Sequence, residues 1–163
     1  MKYAYQEYNN ENMARAVGVA LPISYKHSFE VCNYIRNRTL QRAKKMLQDV
    51  IEMKKAVPYR KFDFDLAHKK ETGPGRYPVK TVSEILSILE SAEANAQFKG
   101  LNTSNLKIIH ISSHNAGKSW RYGRHSRRKA KKTHVEIVLQ ESKSQAKDSK
   151  ETGKKETKEA KKE

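Results

Sequence analysis

AGKSWRYGRHSRRKAKKT (Ala116–Thr133) lies between LKIIHISSH (Leu106–His114) and HVEIVL (His134–Leu139). The two flanks alternate apolar and polar residues, as half-buried strands do. The stretch between them holds eight Lys or Arg and no Asp or Glu, with Trp120, Tyr122 and His125 interleaved. Together the three segments predict one long β-hairpin, 106–139, protruding from a body and saturated with positive charge in its outer half. Such an arm cannot build its own core, and its charges repel one another until counterions or a polyanion neutralise them. Arg and Lys neutralise phosphates while aromatic rings stack on bases, so the pattern suits RNA. The alternative is a solvated loop, but ordinary hairpin loops have only about 2 to 5 residues. From Leu106 to Tyr122 an extended strand reaches at most about 55 Å, enough to cross a layer of folded RNA.

The chain has 163 residues, a formal charge of +16 and a pI near 9.9. That length fits one domain with a real core. The charge speaks about partners: nucleic acid first, an anionic membrane second. No apolar run approaches the roughly 18 to 20 residues of a spanning helix, so membrane insertion is not expected. Residues 1–24 lack the continuous apolar segment of a signal peptide. Cys32 is the only cysteine, which excludes an intrachain disulfide and a cysteine-based zinc site and fits a reducing cytosol. It falls on an apolar helical face, as a small core residue would.

Working outward from the hairpin, residues 1–23 are expected to form an irregular leader. Ser24 is a start signal for a first helix over Tyr25–Arg36, with Val31, Cys32 and Ile35 on one face. Thr39 is placed to cap a second helix reaching about Met53, in which Leu40, Ala43, Leu47, Val50 and Ile51 follow the helical period. Residues 56–80, with Pro58, Gly73, Pro74, Gly75 and Pro78, show no period and predict a long loop. Thr81-Val-Ser-Glu84 matches a capping box and predicts the start of a third helix with Val82, Ile85, Leu86, Leu89, Ala92 and Ala96 buried. Gly100 is its stop. Residues 140–163 hold almost no apolar side chains, so a disordered charged tail is expected there. The domain proper is then 24–139, an α+β body of three helices on a small antiparallel sheet.

Catalytic constellations are weak. Gly117-Lys118-Ser119 resembles the end of a phosphate-cradling loop, but position 112, where that motif needs glycine, is Ser112. His110 and His114 share a strand face roughly 13 Å apart, too far for one metal. Ser112 and His114 have no orienting acid nearby in the hairpin sequence. Asp63 and Asp65 sit among Arg and Lys, where local ion pairs account for them. No enzyme, metal site or cofactor is expected. Basic residues, in contrast, recur in three separated regions. Residues 1–139 carry 26 Lys and Arg against 12 Asp and Glu, so the charge belongs to the folded part. Separated basic regions suit a partner that surrounds the protein, such as folded RNA.

The same segments resemble the universal large-subunit ribosomal protein twenty-two family in its archaeal and eukaryotic form. The blocks that carry the resemblance are LPIS with Lys26, His27 and Ser28; Ile35-Arg36 with Thr39 and Ala43; and VPYRK (Val57–Lys61). They continue with GRYPVK (Gly75–Lys80), AEANAQFKGLN (Ala92–Asn102) and THVEIVL (Thr133–Leu139). In order and at this spacing they span roughly residues 12–139, and the 58–80 segment is what marks the archaeal and eukaryotic type. The resemblance implies a cytoplasmic constituent of the large ribosomal subunit. It implies a body near the exit of the peptide tunnel and a hairpin threaded into ribosomal RNA, with its tip in the tunnel wall. Implied partners are large-subunit ribosomal RNA, neighbouring ribosomal proteins and the nascent polypeptide, without homo-oligomers. Two departures stand out. Asn37 occupies a position that is commonly Gly in the family, and Asn is the residue best able to replace Gly at a left-handed helix end. The tip lacks the family's common Pro and is shorter.

On this basis Lys26, Arg36, Arg38, Arg60, Lys61, Lys69, Arg76 and Lys80 are expected to anchor the body on phosphates. Lys118, Arg121, Arg124, Arg127, Arg128, Lys129, Lys131 and Lys132 form the RNA-neutralised arm. Trp120, Tyr122 and His125 are the stacking or tunnel-lining candidates. A free-standing RNA-binding or RNA-chaperone protein outside the ribosome shares the same charge argument and stays open at this point.

Overall fold

The computed structural model describes residues 3–63 and 65–142. In chain order the elements are β1 (Met13–Leu21), α1 (Tyr25–Ile35), α2 (Leu40–Ile51), β2 (Val57–Pro58), β3 (His68–Lys69), β4 (Gly73–Arg76), α3 (Val79–Phe98), β5 (Leu106–Asn115) and β6 (Thr133–Glu141). β6 is the central strand of an antiparallel sheet in the order β1-β6-β5. Helix α3 lies against β1 and β6, α1 against β5, and α2 against α3. This is the expected α+β arrangement of three helices on a small sheet. The core joins Val135, Ile137 and Leu139 of β6 to Val31, Cys32 and Ile35 of α1, Leu40, Ala43 and Leu47 of α2, and Val82, Ile85 and Leu89 of α3. Burial pushes the Cys32 thiol up to about 12, so it is an inert core group.

The expected irregular leader over 1–23 is corrected. Residues 13–21 are an edge strand of the main sheet, paired from Met13↔Gln140 to Leu21↔Thr133 with a bulge between Gly18 and Leu21. The division at residue 24 falls accordingly, because β1 belongs to the core. Its inward residues are Ala14, Ala16 and Gly18, all buried. They are small because α3 comes close: a Cβ on Gly18 would lie 2.5 Å from Ile88 Cδ1. Small side chains give weak alternation, and so the strand was hidden in the sequence.

Helix α3 starts at Val79, directly after Pro78, and no side chain caps it. This overturns the capping-box expectation: Thr81 is buried inside the first turn. Asn37 adopts φ 60°, the left-handed turn expected at that position. The supposed loop over 56–80 contains a second small sheet, β2-β4-β3. Strands of 2 to 4 residues are too short to show a period. A Cβ at Gly75 would meet the Val57 carbonyl oxygen at 3.1 Å, so this pairing favours glycine there. The hairpin strands extend the expected range slightly, since Gln140 and Glu141 finish β6. The charged tail beyond residue 142 lies outside the described residues.

Candidate nucleic-acid interface

The β5–β6 ladder ends at Asn115↔Thr133, and the arm begins there. Pairing continues outward in separate rungs: the Ala116 N–H donates to the Lys132 carbonyl at 3.1 Å, Ala130 to Ser119 at 2.8 Å, and Arg121 to Arg128 at 2.9 Å. A short 3-10 turn at Gly123–His125 closes the end. Arg121, His125, Arg128 and Lys129–Lys132 wall an open cavity of about 620 Å³. The other walls are Lys80, in the first turn of α3, and Pro22, Ile23 and Ser24, in the β1–α1 connection. A second groove of about 260 Å³ is lined by Ser24, Tyr25, Lys26, Phe62, Asn115 and Lys118, and it shares Lys131 and Lys132 with the first. Cations far apart in sequence therefore meet where the arm, from its root to its closing turn, faces the β1–α1 connection and the start of α3.

Other expected residues stand elsewhere. Arg38 and Arg60 line a separate hollow of about 250 Å³ with Glu30, Asn33, Tyr34, Met46 and Pro58. Arg36 donates from Nη2 to the Ile111 carbonyl at 3.2 Å, which ties it to β5. The Lys61 ammonium lies 4.7 Å from the Phe29 ring centroid, and that of Lys69 lies 6.0 Å from Tyr77. Arg76 is exposed on β4; Arg124 and Arg127 are exposed at the end of the arm. Among the described residues Lys26 alone of these sixteen cations is in an ion pair, with Asp63 at 3.0 Å. That bond holds the Asp63 carboxyl below its usual range. Trp120 is 62% exposed beneath the Lys129 ammonium at 4.3 Å, Tyr122 is 93% exposed, and His125 is half-buried in the cavity wall.

Sequence reasoning missed the groups that hold this surface in place. Glu30, only 1% exposed on α1, accepts the backbone N–H groups of Arg60, Lys61 and Phe62 at 3.2, 2.9 and 2.9 Å. One buried carboxylate thus fixes the start of the basic 60–62 segment. His27 packs its Nδ1 2.6 Å from the Tyr59 hydroxyl. Burial, then the positive charge of Arg76, with Lys131 and Lys26 adding, holds the His27 pKa below its ordinary value, against Asp63. Three segments distant in sequence place their charges in one field at this ring. A Glu on an apolar helical face was the only signal available for Glu30.

The outer face of the sheet carries a polar cluster. Glu136 is 2% exposed and lies 2.7 Å from His110 Nε2 and 3.2 Å from Ser112 Oγ, and Ser112 lies 2.8 Å from His114 Nε2. This corrects the expectation that no acid stands near these residues; Glu136 does, across the ladder from Ser112. The arrangement is no Ser-His-acid relay. In a relay the acid and the hydroxyl occupy opposite ring nitrogens, whereas here His110 Nε2 faces both Glu136 and Ser112, the latter at 3.2 Å. The N-terminal segment covers the cluster: the Ala4 N–H donates to Glu136 at 2.9 Å, and the Tyr5 ring centroid lies 5.2 Å from that of His110. No described helix is long and apolar enough to cross a membrane.

Fold and surface together define a class: an α+β protein whose basic hairpin arm and body cations converge on a surface suited to a polyanion. The chain belongs to the ribosomal protein L22p/L17e family, whose model matches residues 16–140. Among similar curated proteins, the large ribosomal subunit protein uL22 of Archaeoglobus fulgidus is 36% identical, covering 86% of this chain and 96% of its own. Its counterparts in Methanosphaera stadtmanae and Methanocaldococcus jannaschii are each 41% identical. They cover 85% and 86% of this chain, and 96% and 95% of their own.

Proposed function

We propose that this chain is a structural constituent of the large ribosomal subunit in the cytoplasm, held there by ribosomal RNA and performing no reaction of its own. The observation that carries this is the convergence of arm and body cations around the cavity and its neighbouring groove, where among the described residues Lys26 alone of these cations is in an ion pair, with Asp63. Such a field is costly in isolation and becomes favourable when RNA phosphates displace counterions. Membership of the L22p/L17e family and the archaeal relatives named as large ribosomal subunit proteins support the same assignment. Lys26, Lys80, Lys118, Lys131 and Lys132 anchor the arm base on phosphates, while Arg38 and Arg60 hold a second RNA segment on another face. Arg36, Lys61, Lys69 and Arg76 extend the body contacts. At the end of the arm Trp120 and Tyr122 offer exposed rings to RNA bases or to the wall of the peptide exit tunnel, with Arg124 and Arg127 on the flanking backbone. Neighbouring ribosomal proteins and the nascent polypeptide complete the set of partners.

The test is sedimentation of a tagged copy on a sucrose gradient, with quantitative mass spectrometry of the large-subunit fraction after a high-salt wash. Near one copy per subunit is expected. Tagged protein confined to the light fractions, with a tag shown not to block assembly, would favour a free RNA-binding protein instead.

A further inference from the structure

The cavity between the arm and the body is more than a charged surface. Its lining mixes the apolar residues Pro22, Ile23 and Ala130 with six Lys and Arg. At about 620 Å³ it is within the range of small-molecule sites, about 300 to 1,000 Å³. A nucleotide fits such a space, and the body of a duplex does not. Helices α1 and α3 both begin at its wall. Ser24 precedes α1 and its side chain caps nothing, Pro78 precedes α3, and neither helix has an acidic residue in its first turn. An adjoining hollow of about 300 Å³ runs from Pro22–Ser24 past Lys80 to Pro78, Val79 and Thr81, along the start of α3. The field of the helix ends adds to that of the lysines and favours phosphate on this side.

We propose that this cavity receives one nucleotide turned out of an RNA helix. The inference rests on the RNA-binding function proposed above and names the kind of RNA feature that the arm and body take between them. The base lies on Pro22, Ile23 and Ala130 beside the His125 ring, and the flanking phosphates meet Lys80, Arg128 and Lys132. An unpaired base is the form of RNA that side chains stack on and enclose. A paired helix would meet the cations and leave the apolar part of the lining unused.

The experiment titrates the full chain against three RNA hairpins of equal length and charge. One carries a single bulged 2-aminopurine nucleotide, one the same bulge without its base, and one is fully paired. The bulged RNA is expected to bind about tenfold or more tightly than either control, with a rise in 2-aminopurine fluorescence as the base leaves its stack. The Ala130→Phe variant adds bulk to the apolar part of the lining while keeping the backbone bond from Ala130 to Ser119. It is expected to lose the bulge preference and keep the salt dependence of binding. Equal affinity for the three RNAs with unchanged fluorescence overturns the proposal. So does displacement of the bulged RNA by poly-glutamate as effectively as by RNA of equal charge, because that marks a surface that reads charge alone. Failure of the ribosomal assignment is separately visible, as absence of the tagged protein from large subunits. The bulge preference is decided by its own titration either way.

Discussion

Glu30 brings a negative charge into the interior of a strongly positive chain, and its three backbone donors explain why it is tolerated there. Burying a carboxylate is costly unless its oxygens are satisfied, and here both are. Glu30→Ala leaves three N–H groups without an acceptor and is expected to cost about 2 to 4 kcal/mol of stability. Glu30→Gln, which keeps one acceptor oxygen, is expected to cost less. Urea unfolding of the two variants measures the difference, and an unchanged midpoint for Glu30→Ala would show that the 60–62 segment does not depend on this anchor. His27 reports on the other side of the same region. Burial is the largest cause of its lowered pKa, and Arg76, Lys131 and Lys26 contribute. A bound polyanion neutralises those cations and leaves the burial in place, so the His27 pKa is expected to rise part of the way back on RNA binding. Imidazole proton shifts followed by NMR from pH 5 to 8, with and without a short RNA hairpin, read this directly. A value that does not move would mean that the RNA phosphates stay away from this ring.

Among the elements, β1 and the segment before it do the most that the sequence did not announce. β1 pairs with β6, and residues 3–12 fold over the outer face of the sheet. There Tyr3 and Tyr8 each place a ring centroid 4.3 Å from the Arg15 guanidinium, and Lys99 donates to the Tyr8 hydroxyl and the Met13 carbonyl. Glu136 also links this segment to the sheet, through the Ala4 N–H. Burial pushes its carboxyl up, but the bonds from Ala4, His110 and Ser112 outweigh burial and hold it below its usual value. A carboxyl lowered by folding adds stability that is fully present above its unfolded pKa, about 4.3. That stability is lost as the pH falls through the folded value. Wild type is therefore expected to lose more stability between pH 7 and pH 3 than Glu136→Gln does, and paired urea titrations at the two pH values check it. The three helices and both hairpin strands were legible because Leu, Ile and Val mark their buried faces at regular spacing. β1 was not legible, because a close approach by α3 demands Ala and Gly where a strand would otherwise display large residues. The capping box at Thr81 misled because a capping pattern is local, whereas Pro78 and burial of Thr81 decide where α3 begins. The arm's cations were legible one by one. Their convergence with Lys80 and Lys26 was not, since it depends on how the β1–α1 connection and α3 meet the arm.

At the scale of the whole molecule, charge and fold are separable. The core runs through α1, α2, α3 and the sheet, while the eight arm cations lie outside it, seven exposed and Lys132 half-buried. Replacing all eight with Ser removes mutual repulsion and no core contact, so the helices are expected to keep their circular dichroism and melting temperature. Binding is expected to respond strongly. If about eight phosphates are neutralised, log affinity for RNA falls with log salt at a slope of about −6 to −7. Each lost phosphate contact shallows that slope by about 0.7 to 0.9. Because Lys26, Arg38, Arg60 and Lys80 remain, the variant should keep a shallower slope and should not lose binding altogether. Filter binding of one RNA hairpin across a salt series gives both slopes, and sucrose-gradient mass spectrometry gives the share of variant in large subunits, expected to be strongly reduced. A slope equal to that of wild type would place the phosphate contacts on the body alone. Normal incorporation would remove the arm from any part in assembly, and the eight cations would then be a solvated surface that happens to lie on one hairpin.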